Sequence, residues 1–262
     1  MPTTYAHYRF GRDVQKVLPQ DTQQLIEAHR PLFDFGVHGP DLLFYYKPLG
    51  KNEVNRTGNQ IHEQPGRTFF VQAAAVVSKA PHQDAGLAYL YGVLCHYILD
   101  RECHPYVGQK EKSGVSHSAI ESSFDRYLML QDKLDPVTHR VTAHLHPSRA
   151  SAAVIAAFYP PLTQAQIFHA ERSMVFYLNA LIASGLKRRL LLGGMRLSGH
   201  SEMGDMLIPL QQNPACADSD EILMGHYEDA LSLAASLFAQ LEDLLHHRGD
   251  LGPAFAHTFG ET

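Results

Sequence analysis

The chain has 262 residues, 45% of them hydrophobic, with 22 Lys and Arg against 27 Asp and Glu and a formal net charge of -5. That length buries a core without disulfide help, and no apolar run approaches the roughly 20 residues that a bilayer-spanning helix needs. The acidic balance argues against a long phosphate-tracking nucleic-acid surface, and three cysteines, Cys95, Cys103 and Cys216, are too few and too odd in number for a disulfide framework. The opening MPTTYAHYRFGRDV lacks an apolar signal region, so a cytoplasmic location is expected.

In chain order, His7 stands near the N-terminus and a loop-like stretch follows from Asp34 to Gly66. Apolar residues at three- and four-residue spacing then predict helices over 81–100, 115–133, 163–189 and 220–247. Ser116, and Thr163 ahead of Gln166, are start signals, as is the acidic run from Asp218 to Glu221. Between these helices, 101–114, 135–147 and 192–219 read as loops rich in Gly, Pro and Asn, and loops that long are usually functional or locally folded. Lys187, Arg188 and Arg189 read as the basic C-terminal end of a helix, and no basic amphipathic anchor stands out. Period-two alternation is scarce and no repeat or linker divides the chain, which predicts one all-α domain over 1–262 with about seven helices.

Seventeen histidines beside 27 acids are the residue types of a nitrogen and oxygen metal site. A histidine four residues before a carboxylate shares a helix face with it, and three such pairs occur: His96 with Asp100, His117 with Glu121, and His246 with Asp250. The last straddles Gly249 at a fraying helix end and reads as solvated surface. The other two are close in sequence, with His104 in the connecting loop, so a helical hairpin would gather five candidate ligands. Upstream, Asp41 follows Gly39-Pro40, a turn that holds a side chain outside regular structure, and His62 lies beyond the aromatic run Phe44-Tyr45-Tyr46. Cys95 adjoins His96 and so faces about 100° away from it on a helix, which reads as buried packing.

The ordered set His7, Gly36 to Asp41, His62, His96-xxx-Asp100, His104 and His117-xxx-Glu121 resembles the bacterial zinc-dependent phospholipases C and, more distantly, the fungal single-strand nucleases of the same fold. By motif the resemblance runs to about Tyr127. It implies an all-α domain with two to three zinc ions in a cleft. Asp41, His62 and His96 would hold one ion, and Asp100 would bridge it to a second that also takes His7 and the N-terminal backbone. His104, His117 and Glu121 would hold the third. The chain departs from the pattern in having no tryptophan, in beginning Met1-Pro2-Thr3, in placing only three residues between Asp100 and His104, and in lacking a secretion signal.

The expected activity is a metal-dependent phosphodiesterase, with Asp41 orienting or deprotonating the attacking water and a phospholipid head group or similar small phosphodiester as substrate. No stable nucleic-acid complex is expected. Two other readings stay open: a single-strand nuclease or nucleotidase, which needs a stacking platform in a basic groove, and a non-catalytic metal-binding protein of the same fold.

Overall fold

The computed structural model describes residues 4–80 and 82–260. They form α1 (Thr4–Val17), α2 (Gln20–Ala28), α3 (Arg30–Gly36), a 3-10 turn (Gly39–Tyr45), α4 (Glu53–Glu63), α5 (Gly66–Lys79), α6 (Gln83–Glu111) and α7 (His117–Gln131). There follow α8 (Arg149–Ala156), α9 (Gln164–Leu181), α10 (Gly185–Leu197), two further 3-10 turns (Ser201–Met206 and Pro214–Cys216), α11 (Ala217–Leu245) and a last turn (Pro253–Ala256). Among the described residues no strand forms; one isolated bridge joins Pro65 to Thr258. The all-α expectation holds. There are more than seven helices because short ones such as α3 carry too few turns to show a period.

The centre of the molecule is α6. Residues 88–100 are all buried, and a helix that is buried on every side lies inside a core rather than on it. Helices α1, α3, α5 and α11 pack around it. The crossing with α3 is unusually close: a Cβ on Gly36 would lie 2.9 Å from the Gly92 Cα and closer still to the Tyr89 carbonyl oxygen. Only glycine at both positions lets the two backbones meet there. The same contact carries the chain directly into the turn holding Asp41.

Several sequence expectations change. The stretch 101–114 is helix, not loop: α6 runs on through Pro105 to Glu111. Proline removes one hydrogen bond and strains the turn before it, a cost of about 3 kcal/mol in a helix interior. Buried Cys103, Val107 and Gly108 keep the helical period beyond it, so tertiary packing outweighs the local penalty. His104 therefore stands on the same helix as His96 and Asp100. The predicted helix 163–189 breaks after Leu181 and restarts at Gly185, whose φ of +51° suits glycine. Lys187, Arg188 and Arg189 consequently lie in the first turns of α10, not at a helix C-terminus. Much of 192–219 is helical turn rather than loop.

Helix starts follow their sequence signals. The Ser116 side chain accepts from the Ala119 N–H, and Thr163 and Gln166 form a reciprocal capping box. His246 pairs with Glu242 at 3.4 Å on the exposed end of α11, not with Asp250. All three cysteines are buried and unbridged.

Candidate metal centre

All eight candidate ligands converge on one cleft. Three successive turns of α6 present His96, Asp100 and His104, because residues four apart stack along one helix face. Asp100 sits at the middle: one carboxylate oxygen is 3.2 Å from His7 Nε2 and 3.6 Å from His104 Nε2, and the other is 3.1 Å from His96 Nε2. From α7, Glu121 approaches His117 Nε2 at 3.0 Å and His104 Nε2 at 3.7 Å. Asp41 Oδ1 lies 3.0 Å from His62 Nε2.

Three groups have ligand atoms within 4.8 Å of one another: His7, His96 and Asp100; Asp41, His62 and His96; and His104, His117 and Glu121. His96 belongs to two of them, and Asp100 touches His104 of the third, so they form one continuous cluster. The His7 and His96 rings stack at 4.4 Å. His7, Asp41, His96, Asp100 and Glu121 are buried, whereas His62, His104 and His117 reach the opening. Phe44, Asn59 and Gly260 complete the walls of a cavity of about 220 Å³.

Local structure holds each side chain in place. His62 directs Nδ1 to the Gly58 carbonyl at 2.8 Å, and His117 Nδ1 lies 3.3 Å from Glu111, which leaves both Nε2 atoms facing the cleft. Gly39 has φ +48°, and a Cβ there would lie 2.6 Å from the His96 ring, so this glycine lets the Asp41 turn sit flat against His96. The second histidine pair nearby, His38 and His144, turns its Nε2 atoms toward each other in a 2.9 Å hydrogen bond.

The electrostatics match the composition. Burial opposes the charged form of Asp100, yet His104, His96 and His7 hold its carboxyl well below the usual range. Burial likewise opposes Glu121, which His117 and His104 hold well down. Burial works against the charged His117, but Glu121 pushes it up to about 9. Burial lowers His96 overall.

The donor set fits zinc. Five imidazoles and three carboxylates are nitrogen and oxygen donors of the kind zinc takes. Glu121 Oε2 is buried without a hydrogen-bond partner among the described residues. Such an orphaned acceptor costs about 1–3 kcal/mol unless something supplies a positive centre, as a cation would. The expected N-terminal backbone ligand lies outside the described residues.

Two contributors escaped the sequence reading. Asp125, one turn beyond Glu121, is buried and accepts from the backbone N–H of Ala6 at 2.8 Å and of Tyr5 at 3.1 Å. It thereby caps α1 from across the core and sets the position of His7. Burial pushes its carboxyl up to about 7 against those two donors. The Phe-Asp spacing one turn after Glu121 marks the helix face, but nothing local names its partner. Phe259, fully buried near the C-terminus, packs 5.9 Å from the His62 ring and 6.0 Å from the His96 ring. Its tail is held by Tyr97, whose hydroxyl donates to the carbonyls of Ala254 and His257.

Asp125→Ala is expected to lower stability by about 2–3 kcal/mol, since two N–H groups at a helix start lose a buried acceptor. In a chain of this size that is a fall of about 5–10 °C in Tm. Calorimetry checks it, and Asp125→Asn should recover part of the loss because an amide oxygen still accepts. An unchanged Tm in Asp125→Ala would refute the capping role.

A family model described as zinc dependent phospholipase C matches residues 6–172, the span that carries all eight candidate ligands. Neither a search of curated proteins nor one of solved structures returned a match.

Proposed function

This chain belongs to the zinc-dependent phospholipase C family, and from that premise we propose that it hydrolyses a phospholipid head group or similar small phosphodiester at a cluster of two to three zinc ions. The observation that carries the reading is the position of the Asp100 carboxylate, whose two oxygens stand within 3.6 Å of His7, His96 and His104 and so join adjoining ligand groups. Shared donors favour several ions in one cleft over isolated structural sites.

In this reading Asp41, His62 and His96 would hold one ion, His7 and Asp100 a second, and His104, His117 and Glu121 a third. Zinc, when bound, supplies Lewis-acid polarisation of the phosphoryl group and lowers the pKa of water toward neutrality. Asp41 takes the proton of the water that attacks phosphorus. His62, against one of its oxygens, keeps the carboxylate turned toward the cleft. The buried walls exclude bulk water and keep the charges of Asp100 and Glu121 effective.

The surroundings favour a lipid over a nucleic acid. Beside Glu121 opens a crevice walled by Val137, Val141, Leu178, Ile182, Met206 and Ile208. An apolar wall suits the glyceryl and acyl part of a lipid, whereas a nuclease needs aromatic platforms and a basic track.

Metal analysis together with phosphocholine release from a monomeric short-chain phosphatidylcholine tests the proposal. Two to three zinc per chain and turnover are expected. Full zinc loading without turnover on any head group would favour the non-catalytic reading, and faster cleavage of single-stranded DNA would favour the nuclease.

A further inference from the structure

Helix α10 is the one α-helix of the described chain with no buried residue, and its sequence GLKRRLLLGGMRL is strongly divided. At about 100° per residue, Leu186, Leu190 and Leu197 fall within roughly 40° of one another on the helix circumference. They are 70%, 66% and 92% exposed. Lys187 flanks this stripe on one side, and Arg189 and Arg196 flank it on the other. Leu191, Leu192 and Met195 are half-buried, and Leu191 and Met195 continue the apolar surface into the groove that Leu186 and Leu190 line.

Charge and position add to the pattern. Helix α10 contains no acid, although the chain as a whole carries -5. The three cations in its first turns oppose the helix dipole, which favours anions at that end. Neither Arg189 nor Arg196 forms an ion pair with an acid among the described residues, whereas the Lys187 ammonium is engaged on the end of α9, donating to the Ile182 carbonyl at 2.6 Å and the Asn179 carbonyl at 3.4 Å. The adjoining turn brings Glu202 and Asp205, but Asp205 is engaged by the Ser116 hydroxyl. Leu49, 72% exposed, shares a groove with Leu186 and Leu190 and is bracketed by Lys47 and Lys51. An exposed leucine ridge edged by unpaired cations on two separate segments matches a surface that is apolar inside and anionic at its boundary.

We infer that α10 and the Leu49 loop form an interfacial docking surface that seats the enzyme on an anionic phospholipid bilayer, with Leu186, Leu190 and Leu197 entering the acyl boundary and Arg189 and Arg196 meeting lipid phosphates. Arg188, on the inward side of the helix, donates to the Ile208 carbonyl at 2.9 Å and lines the same apolar crevice as Glu121. The docking helix thus lines a crevice that shares Glu121 with the candidate metal centre. Only that connection rests on the phospholipase reading; the docking does not.

Sedimentation of the zinc-loaded protein with vesicles reads docking without turnover, and hydrolysis of monomeric short-chain phosphatidylcholine reads turnover without a bilayer. Vesicles of phosphatidylcholine with 30% phosphatidylglycerol should bind the protein at least tenfold more strongly than pure phosphatidylcholine, with the preference fading in high salt. Leu186→Glu with Leu190→Glu should lose at least tenfold of that binding, as should Arg189→Glu with Arg196→Glu, with Tm and short-chain turnover unchanged. No binding by the wild type, or binding as strong as the wild type's by either double variant, would overturn the inference. A wild-type dimer in ultracentrifugation that the leucine variant makes monomeric would also overturn it, since a second copy would then cover this face.

Discussion

Asp41→Asn is expected to lower kcat by about 10²–10⁴-fold on a short-chain phosphodiester while zinc content stays at the wild-type level. The substitution is nearly isosteric at a buried position, and the amide keeps an oxygen facing the cleft. What it loses is the basic lone pair that takes a proton from water. A neutral amide also gives His62 Nε2, 3.0 Å away, a weaker acceptor, so the ring is held less firmly. Metal analysis and steady-state kinetics on one preparation separate these effects. Fully loaded protein with a rate within a factor of three of wild type would refute the base assignment. Loss of zinc in parallel with activity would instead make Asp41 a ligand first.

Asp100→Ala is expected to be the more damaging change, because it acts on the whole cluster at once. Its carboxylate lies within 3.6 Å of nitrogen atoms from His7, His96 and His104. Removing it withdraws the one anion common to those three imidazoles. Breaking a buried charged network by deleting one partner costs about 3–5 kcal/mol. That corresponds to a fall of about 6–20 °C in Tm for a chain of this size. At least one zinc per chain should be lost, with turnover down by more than about 10³-fold through loss of positioned charge. Wild-type zinc content in the alanine variant would show that Asp100 is not a ligand. Asp100→Asn keeps the volume and separates packing from charge: its Tm should lie above that of alanine while its zinc content stays low.

The amount of this visible in the sequence follows from how local each contact is. His96 with Asp100 and His117 with Glu121 are legible because the helix period alone puts residues four apart on one face. The all-α class is legible for the same reason. His104 was misplaced in a loop because Pro105 and Gly108 are local breakers, and the packing of Cys103 and Val107 that overrides them is not a local signal. His7, Asp41 and His62 carry no periodic mark of their own, and only their order, as a family resemblance, set them apart. Asp125 and Phe259 act across 119 and more positions of chain, and no spacing rule reaches that far. The direction of α10 depended on one break at Gly185, which turned three cations from a favourable helix end to an unfavourable one.

The three ligand groups also differ in how much chain must be gathered before each exists. The group of His104, His117 and Glu121 closes within residues 104–121, across the single turn between α6 and α7. Asp41 with His96 needs α3 already seated on α6, and His7 with Asp100 needs α1 fixed by Asp125. Loop-closure entropy rises with the length closed, so the hairpin group assembles earliest during folding and the His7 group last. On the proposed ligand assignment, a nascent or refolding chain in scarce zinc is therefore expected to take its first ion in the hairpin, where it can act as a nucleus. The cluster becomes complete only when the two ends of the chain have closed over it.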